Sequence, residues 1–179
     1  MEDIAVRVDA FRQRLVWQGR TREAVVWSAP QAFGPESYWA RKPTSKELAL
    51  EMLIAINHGS LGIMPWIDRP QDPLMRPGIS PLAEAVPTLA PYILGRKSVS
   101  SRPVVSGAKR VDVTTWTNGD STLLIALNLN DAPVQAQVLI NLPHSKPKVV
   151  FENGVAVARN SSKVVDLRFQ PLSSIAVVF

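Results

Sequence analysis

The chain has 179 residues, 46% hydrophobic and 20% charged, an ordinary globular balance that argues against disorder as the dominant state. Its formal charge of +5 comes from arginines scattered over residues 1–22 and 96–110, with no basic stripe interleaved with stacking aromatics, so no nucleic-acid partner is expected. The lack of cysteine excludes disulfides, zinc thiolate sites and cysteine nucleophiles.

Residues 1–20 lack the apolar core of a signal peptide, and no apolar run approaches bilayer length. Neither an export signal nor a membrane span is expected in this chain, and the compartment stays open. Asn160-Ser161-Ser162 fits a glycosylation acceptor, a short pattern with meaning only in a secretory pathway.

Ile4, Val8, Phe11 and Leu15 fall at helical spacing, which predicts an amphipathic helix over 3–17, stopped by Gly19. Residues 24–67 then spell strand, loop, helix, strand. Val25, Val26 and Trp27 form an apolar run without polar alternation, as a parallel strand buried on both faces would show. Thr44 and Glu47 have the spacing of a capping box. From Leu48 to Ile56 the helix is apolar almost all round, broken only by Glu51, and Gly59 ends it. Leu61 to Trp66 reads as a second buried strand, and a crossover of this length obliges the pair to be parallel. The loop 31–42 therefore lies at the C-terminal end of the first strand, where α/β folds place their ligand sites.

The proline-rich stretch 70–81 reads as a surface loop, Leu82 to Leu94 as a weaker helix interrupted by Pro87 and Pro91, and 96–109 as a linker. Beyond Lys109 the period changes to two. Val111, Val113 and Thr115 alternate with polar partners, and Asn118-Gly119 supplies a hairpin turn. Leu123 to Leu129, Val134 to Leu142, Val149 to Phe151, Val155 to Val157, Val164 to Phe169 and Ser174 to Phe179 continue the series, with Asn153-Gly154 as a second hairpin signal. The fold expected is α/β plus all-β: a partial βα segment over 1–95, a linker over 96–109 and an antiparallel β-sandwich over 110–179.

Three clusters carry a resemblance: Pro30-Gln31-Ala32-Phe33-Gly34, Tyr38-Trp39-Ala40-Arg41, and Ile56-Asn57-His58-Gly59 with Gly62 and Trp66. With the β module that follows, they resemble the C-terminal part of a clan A type (β/α)8-barrel glycoside hydrolase, of the fungal kind with a PQAFG-like motif. The resemblance implies that the first helix is barrel helix six, the parallel strands are seven and eight, and strands one to six are missing. It implies an acid/base carboxylate after strand four and a nucleophilic carboxylate after strand seven. Near that second position the chain has Gln31, whose amide can orient a sugar hydroxyl but cannot form a glycosyl ester. Glu36, in the same loop, is the candidate catalytic carboxylate. An extracellular parent is also implied.

Gln31, Tyr38, Trp39 and Trp66 are the candidate sugar-binding residues, with Gln31, Tyr38 and Trp66 expected on one rim because parallel strand ends point the same way. Trp66 is either a platform for a pyranose ring or a packing tryptophan under the sandwich. His58 reads as part of an ordinary helix stop rather than as a base, since no carboxylate or serine motif accompanies it in sequence. Asp68 and Asp72 read as solvated turn residues. No metal site and no cofactor is expected. Three functional readings follow: a piece of a sugar hydrolase inactive alone, a non-catalytic carbohydrate-binding or interaction module, and a subunit that completes a barrel with another chain. Exposed strand edges also predict self-association. Trp116, on the outward register of its strand, favours the module reading if exposed.

Overall fold

A computed structural model describes residues 2–36, 39–66, 76–142, 146–161 and 163–179. The chain divides into two compact units, residues 1–80 and 81–179. The first is α/β and the second is built on one curled antiparallel sheet.

In the α/β unit, α1 spans Glu2–Trp17, with Ala5 and Val8 buried while Phe11 faces solvent. The first strand, β1, is only Trp27–Ser28, and β2 is Gly62–Ile63. They pair in parallel, Trp27 opposite Gly62 and Ser28 opposite Ile63, as the crossover requires. An isolated bridge between Gln31 and Trp66 continues the same register. Between them, α2 spans Ser45–Asn57 and carries the full capping box. The Thr44 hydroxyl accepts from the Glu47 amide at 3.2 Å, and the Thr44 amide donates to Glu47 Oε2 at 2.8 Å. Leu48, Leu50, Leu53 and Ile54 are buried, which fits a helix apolar on most sides. His58 caps the C-terminus and Gly59 follows at φ +94°.

One expectation for these strands fails. Val25 and Trp27 are exposed, not buried on both faces, and so are Leu61, Met64 and Trp66. Trp27, Gly62, Met64 and Trp66 share one face, as the alternation of a strand dictates and as the Trp27 ring lying over Gly62 confirms. Ala32, on the opposite face, packs with Leu48 of α2. One side of the pair is covered by helix and the other is open.

Helix α3 spans Arg76–Ile93 with Pro81, Pro87 and Pro91 inside it. Residues 76–81 are thus helical, where the prolines predicted a surface loop; residues 70–75 of that stretch lie outside the described residues. The stripe Leu82, Ala85 and Leu89 is buried, and that burial offsets the backbone bonds the prolines cannot make.

The β unit contains β3 (Val99–Ser101), β4 (Val104–Ser106), β5 (Val111–Asn118), β6 (Ser121–Asn128), β7 (Val134–Leu139), β8 (Lys148–Arg159) and β9 (Val164–Val178). The stretch 96–109, read as a linker, supplies the first two of these strands. Along the sheet the order is β3-β5-β6-β9-β7-β4, with β8 on the other edge of β9. The N-terminal half of β9 pairs with β7 and its C-terminal half with β6. Leu172, at φ +48°, lies between these halves and bends the strand. The ends of the sheet, β3 and β4, are separated in sequence only by Arg102 and Pro103, so they must lie near each other and the sheet must curl. It is therefore one connected sheet rather than two separate ones. Its core joins Leu124, Ala126, Val138, Leu167, Phe169, Ile175 and Val177.

Two turn signals met different fates. Asn118-Gly119 makes the hairpin between β5 and β6, with Asn118 opposite Ser121. Asn153-Gly154 makes no hairpin: β8 runs through it with a register shift against β9 between Asn153 and Val155. Gly154 sits at φ +74°, and Glu152 Oε1 accepts from the Gly154 and Val155 amides at 2.7 and 3.0 Å. A bulge built on a glycine at positive φ makes the same backbone demand as a tight turn, so the same dipeptide serves both.

Candidate functional site

The C-terminal ends of β1 and β2 and the loop 31–42 form the candidate site. Ladder bonds continue past the assigned strands: Met64 N–H donates to Ser28 C=O at 2.9 Å and Trp66 N–H to Pro30 C=O at 2.8 Å. Gln31 and Trp66 are consequently direct neighbours on one rim. Trp66 is 55% exposed. Tyr38, expected beside them, lies outside the described residues, as do Asp68 and Asp72.

The Gln31 side chain is turned to the loop. Its amide nitrogen donates to Phe33 C=O at 2.7 Å and to Arg41 C=O at 3.0 Å, joining the outgoing and returning limbs. Both amide hydrogens are thereby used, and what Gln31 can offer a ligand is its Oε1 acceptor. The two limbs also touch at Gly34, where φ is +145° and a β-carbon would lie 2.7 Å from the Arg41 and Lys42 backbone. Only glycine fits there.

Further out, Glu36 and Trp39 exchange backbone bonds of 3.1 and 2.9 Å. The Trp39 ring meets Phe33 edge-on at 4.9 Å and 71°, so Trp39 packs onto its own loop. Glu36 stands exposed at the tip.

An ion pair that the sequence reading missed holds the returning limb. Arg41 grips Glu47 in bidentate fashion, Nη1 to Oε2 at 2.7 Å and Nη2 to Oε1 at 2.6 Å. The Arg41 hydrogen bonds, with those from Thr44, hold the Glu47 carboxyl at about 2 against the cost of its burial. The capping-box Glu is thus also the anchor of the loop. The available signal was an arginine shortly before a capping box, which does not by itself specify a contact.

Glu51, one turn further along α2, is the second missed group. Burial, aided by the neighbouring Glu47 charge, pushes its carboxyl up to about 7, and its Oε2 has no hydrogen-bond partner. It lies on the helix, not on the loop.

His58 lies before β2, in the segment leading to the strand end opposite Gln31 and Trp66. A carboxylate does accompany it, supplied by another element: Nδ1 is 2.8 Å from Asp9 Oδ2 of α1. Arg12 Nη1 also donates to the His58 carbonyl at 3.2 Å. These contacts fasten α1 to the end of α2. Among the described residues, no group of three or more His, Asp or Glu side chains could hold a metal ion. None of their helices is long and apolar enough to cross a membrane.

Trp116 is 6% exposed and forms part of the interior. The observation that would have favoured a sugar-binding face on the sheet is absent at that position.

No family model matches the chain, and no curated protein matches it. Solved structures do. A GH30 endoxylanase from Clostridium papyrosolvens C71 aligns with a TM-score of 0.54 at 13% identity, over 91% of this chain and 44% of that one. A debranching enzyme from Nostoc punctiforme aligns at 0.53 and 14%, over 74% and 31%. A glycoside hydrolase family 30 subfamily 8 xylanase from Clostridium acetobutylicum aligns at 0.50 and 10%, over 89% and 43%. The chain thus spans less than half the length of these structures, and at such identities the likeness is one of fold: a mixed α/β and curled-sheet arrangement similar to part of glycoside hydrolase structures.

Proposed function

We propose that the chain is a part of a glycoside hydrolase-like protein, in which β1, β2 and the loop 31–42 contribute one rim of a carbohydrate cleft and the curled sheet is an accessory domain. The observation that carries this reading is Trp66, exposed and paired with Gln31 at the C-terminal end of two parallel strands. That end is where barrel enzymes build their sites, and an exposed indole there offers a flat apolar face to a sugar ring. The fold likeness to two xylanases makes a xylose-based oligosaccharide the first sugar to try. The PQAFG-like stretch 30–34 and the assignment of β1 and β2 as barrel strands seven and eight belong to the same proposal.

In this reading the chain binds and does not turn over. Glycoside hydrolysis needs two carboxyl groups, about 5 Å apart for retention and roughly 6.5–9.5 Å for inversion. In the described part of the loop, Glu36 is the single carboxylate. Glu47, at the start of α2, is spent on Arg41.

The test is titration calorimetry of the 179-residue chain with xylohexaose and maltohexaose, beside assays on aryl glycosides. The expected result is weak binding of xylohexaose, lost in Trp66→Ala, with no turnover. Binding unchanged in Trp66→Ala would remove the rim. Turnover that disappears in Glu36→Gln would make Glu36 catalytic and overturn the inactivity.

A further inference from the structure

We propose that Arg41 is a positioning residue for ligand recognition: by holding the Gln31 carboxamide in one orientation it makes the rim an acceptor, which takes a sugar through a hydroxyl that donates. The inference rests on the carbohydrate reading of the rim and names what that rim selects.

Register puts Gln31 beside Trp66. The two are bridged in the register of the Trp27 and Gly62 pair, so their side chains leave the same face, while Ala32 turns to Leu48 of α2. A free glutamine amide offers a ligand either donors or an acceptor and turns over between them. Here the reversal is blocked. Nε2 faces two carbonyl oxygens, Phe33 at 2.7 Å and Arg41 at 3.0 Å, and the reverse orientation would set Oε1 against both. Oε1 has no partner among the described residues and is open to solvent.

The two carbonyls differ in what holds them. Phe33 lies on the same limb as Gln31, whereas Arg41 belongs to the returning limb and is fastened to α2. Its guanidinium spans both oxygens of Glu47, and Nη1 also donates to the Lys42 carbonyl at 3.1 Å, which folds the side chain back along its own backbone. Glu47 Oε2 in turn accepts from the Thr44 amide and hydroxyl at 2.8 and 3.0 Å. With Glu47 only 8% exposed, the bidentate fork replaces water that its carboxylate has lost. A line of bonds therefore runs from the start of α2 through Glu47 and Arg41 to the Gln31 amide.

The ligand chemistry follows from that orientation. An acceptor beside an exposed indole matches a ring that is apolar on its face and carries O–H groups at its edge, as a pyranose does. A ligand offering only acceptors at that edge would set lone pairs against Oε1.

The experiment follows the 179-residue chain by NMR with xylohexaose, and with phenyl β-xylopyranoside and its monodeoxyfluoro analogues, in which fluorine replaces one hydroxyl and removes its donor. In the parent chain xylohexaose should shift the Gln31 carboxamide carbon while the Nε2 protons stay slow to exchange. One fluoro analogue should bind about threefold to tenfold more weakly than the xyloside itself, the range of one lost hydrogen bond. Arg41→Met should speed exchange of the Gln31 Nε2 protons and erase that preference, and Arg41→Lys, which keeps the charge without the fork, should restore it in part. Because Arg41→Met strands the Glu47 charge, the double variant Arg41→Met with Glu47→Gln repeats the measurement in a fold relieved of it. Trp66→Ala should weaken every ligand and leave the Gln31 exchange unchanged. Binding that requires Trp66 but keeps the same preference in the Arg41 variants, or equal binding of all the analogues by the parent chain, would overturn this inference alone. No binding of xylohexaose by the parent chain would overturn the carbohydrate reading and this inference with it. Fast exchange of the Gln31 amide in the parent chain, unchanged by Arg41→Met, would overturn the positioning role whatever the ligand does.

Discussion

The two units handle the same element in opposite ways. In the sheet unit, β6 is buried from Thr122 to Asn128, both edges are paired, and neighbours cover both faces. In the α/β unit, β1 and β2 are two residues long, one face carries exposed Trp27, Met64 and Trp66, and among the described residues β1 pairs with no strand but β2. An apolar strand is not a buried strand until something covers it. In the sheet unit the covering comes from this chain, whereas in the α/β unit the described residues leave one face of the pair exposed.

The sharpest way to break that comparison is truncation. Leu124→Ala, in the fully buried strand, should cost roughly 2–5 kcal/mol in denaturant unfolding, whereas Trp27→Ala should fall within about 0.5 kcal/mol. Equal losses would show that the α/β strands are as well covered as β6.

Acid should act chiefly on the α/β unit. Glu47 titrates near 2 when folded against 4.5 as its ordinary value, so its contribution is present above about 4.5 and disappears as pH falls through 2. The linkage is on the order of 2–3 kcal/mol, reduced because the Arg41 partner is itself largely exposed. Urea titrations across that window should show the loss, and Glu47→Gln should flatten it.

Glu51 has the opposite sign. Its folded value of about 7 lies above the ordinary 4.5, so the folded state binds the extra proton; the stability it contributes is full below 4.5 and fades as pH rises through 7. Glu51→Gln should therefore be more stable than the parent at pH 8, by on the order of 1–3 kcal/mol, and no more stable at pH 4. A gain at both pH values would mean that ionisation is not the cause.

The smallest effect expected is at the helix start. Thr44→Ala removes both bonds of the hydroxyl, from the Glu47 amide and to Glu47 Oε2, and should cost about 1 kcal/mol, seen as a lower Tm for the α/β unit with the sheet unit unchanged.

Features written in a few adjacent residues were legible in the sequence. The Thr44 and Glu47 box, the stop at Gly59, the Asn118-Gly119 hairpin and the parallel sense of the βαβ unit depend on local sterics and chain connectivity, which no distant partner revises. The rim pair was legible too, because parallel strands in register bring Gln31 to Trp66.

Other features were decided only in three dimensions. Asn153-Gly154 became a bulge because β9 is long enough to pair on both sides of it. Pro81, Pro87 and Pro91 stayed within a helix because Leu82, Ala85 and Leu89 found a place to be buried. Within the candidate site, the Arg41 clamp, the turn of Gln31 toward its own loop and the Asp9 partner of His58 all join residues that local spacing does not relate. Sequence by itself determined α1, α2, the β5–β6 hairpin and the parallel sense of β1 and β2, since backbone geometry and hydrophobic period act locally. Tertiary structure decided which faces are covered and which polar groups meet, since both depend on surfaces supplied from elsewhere.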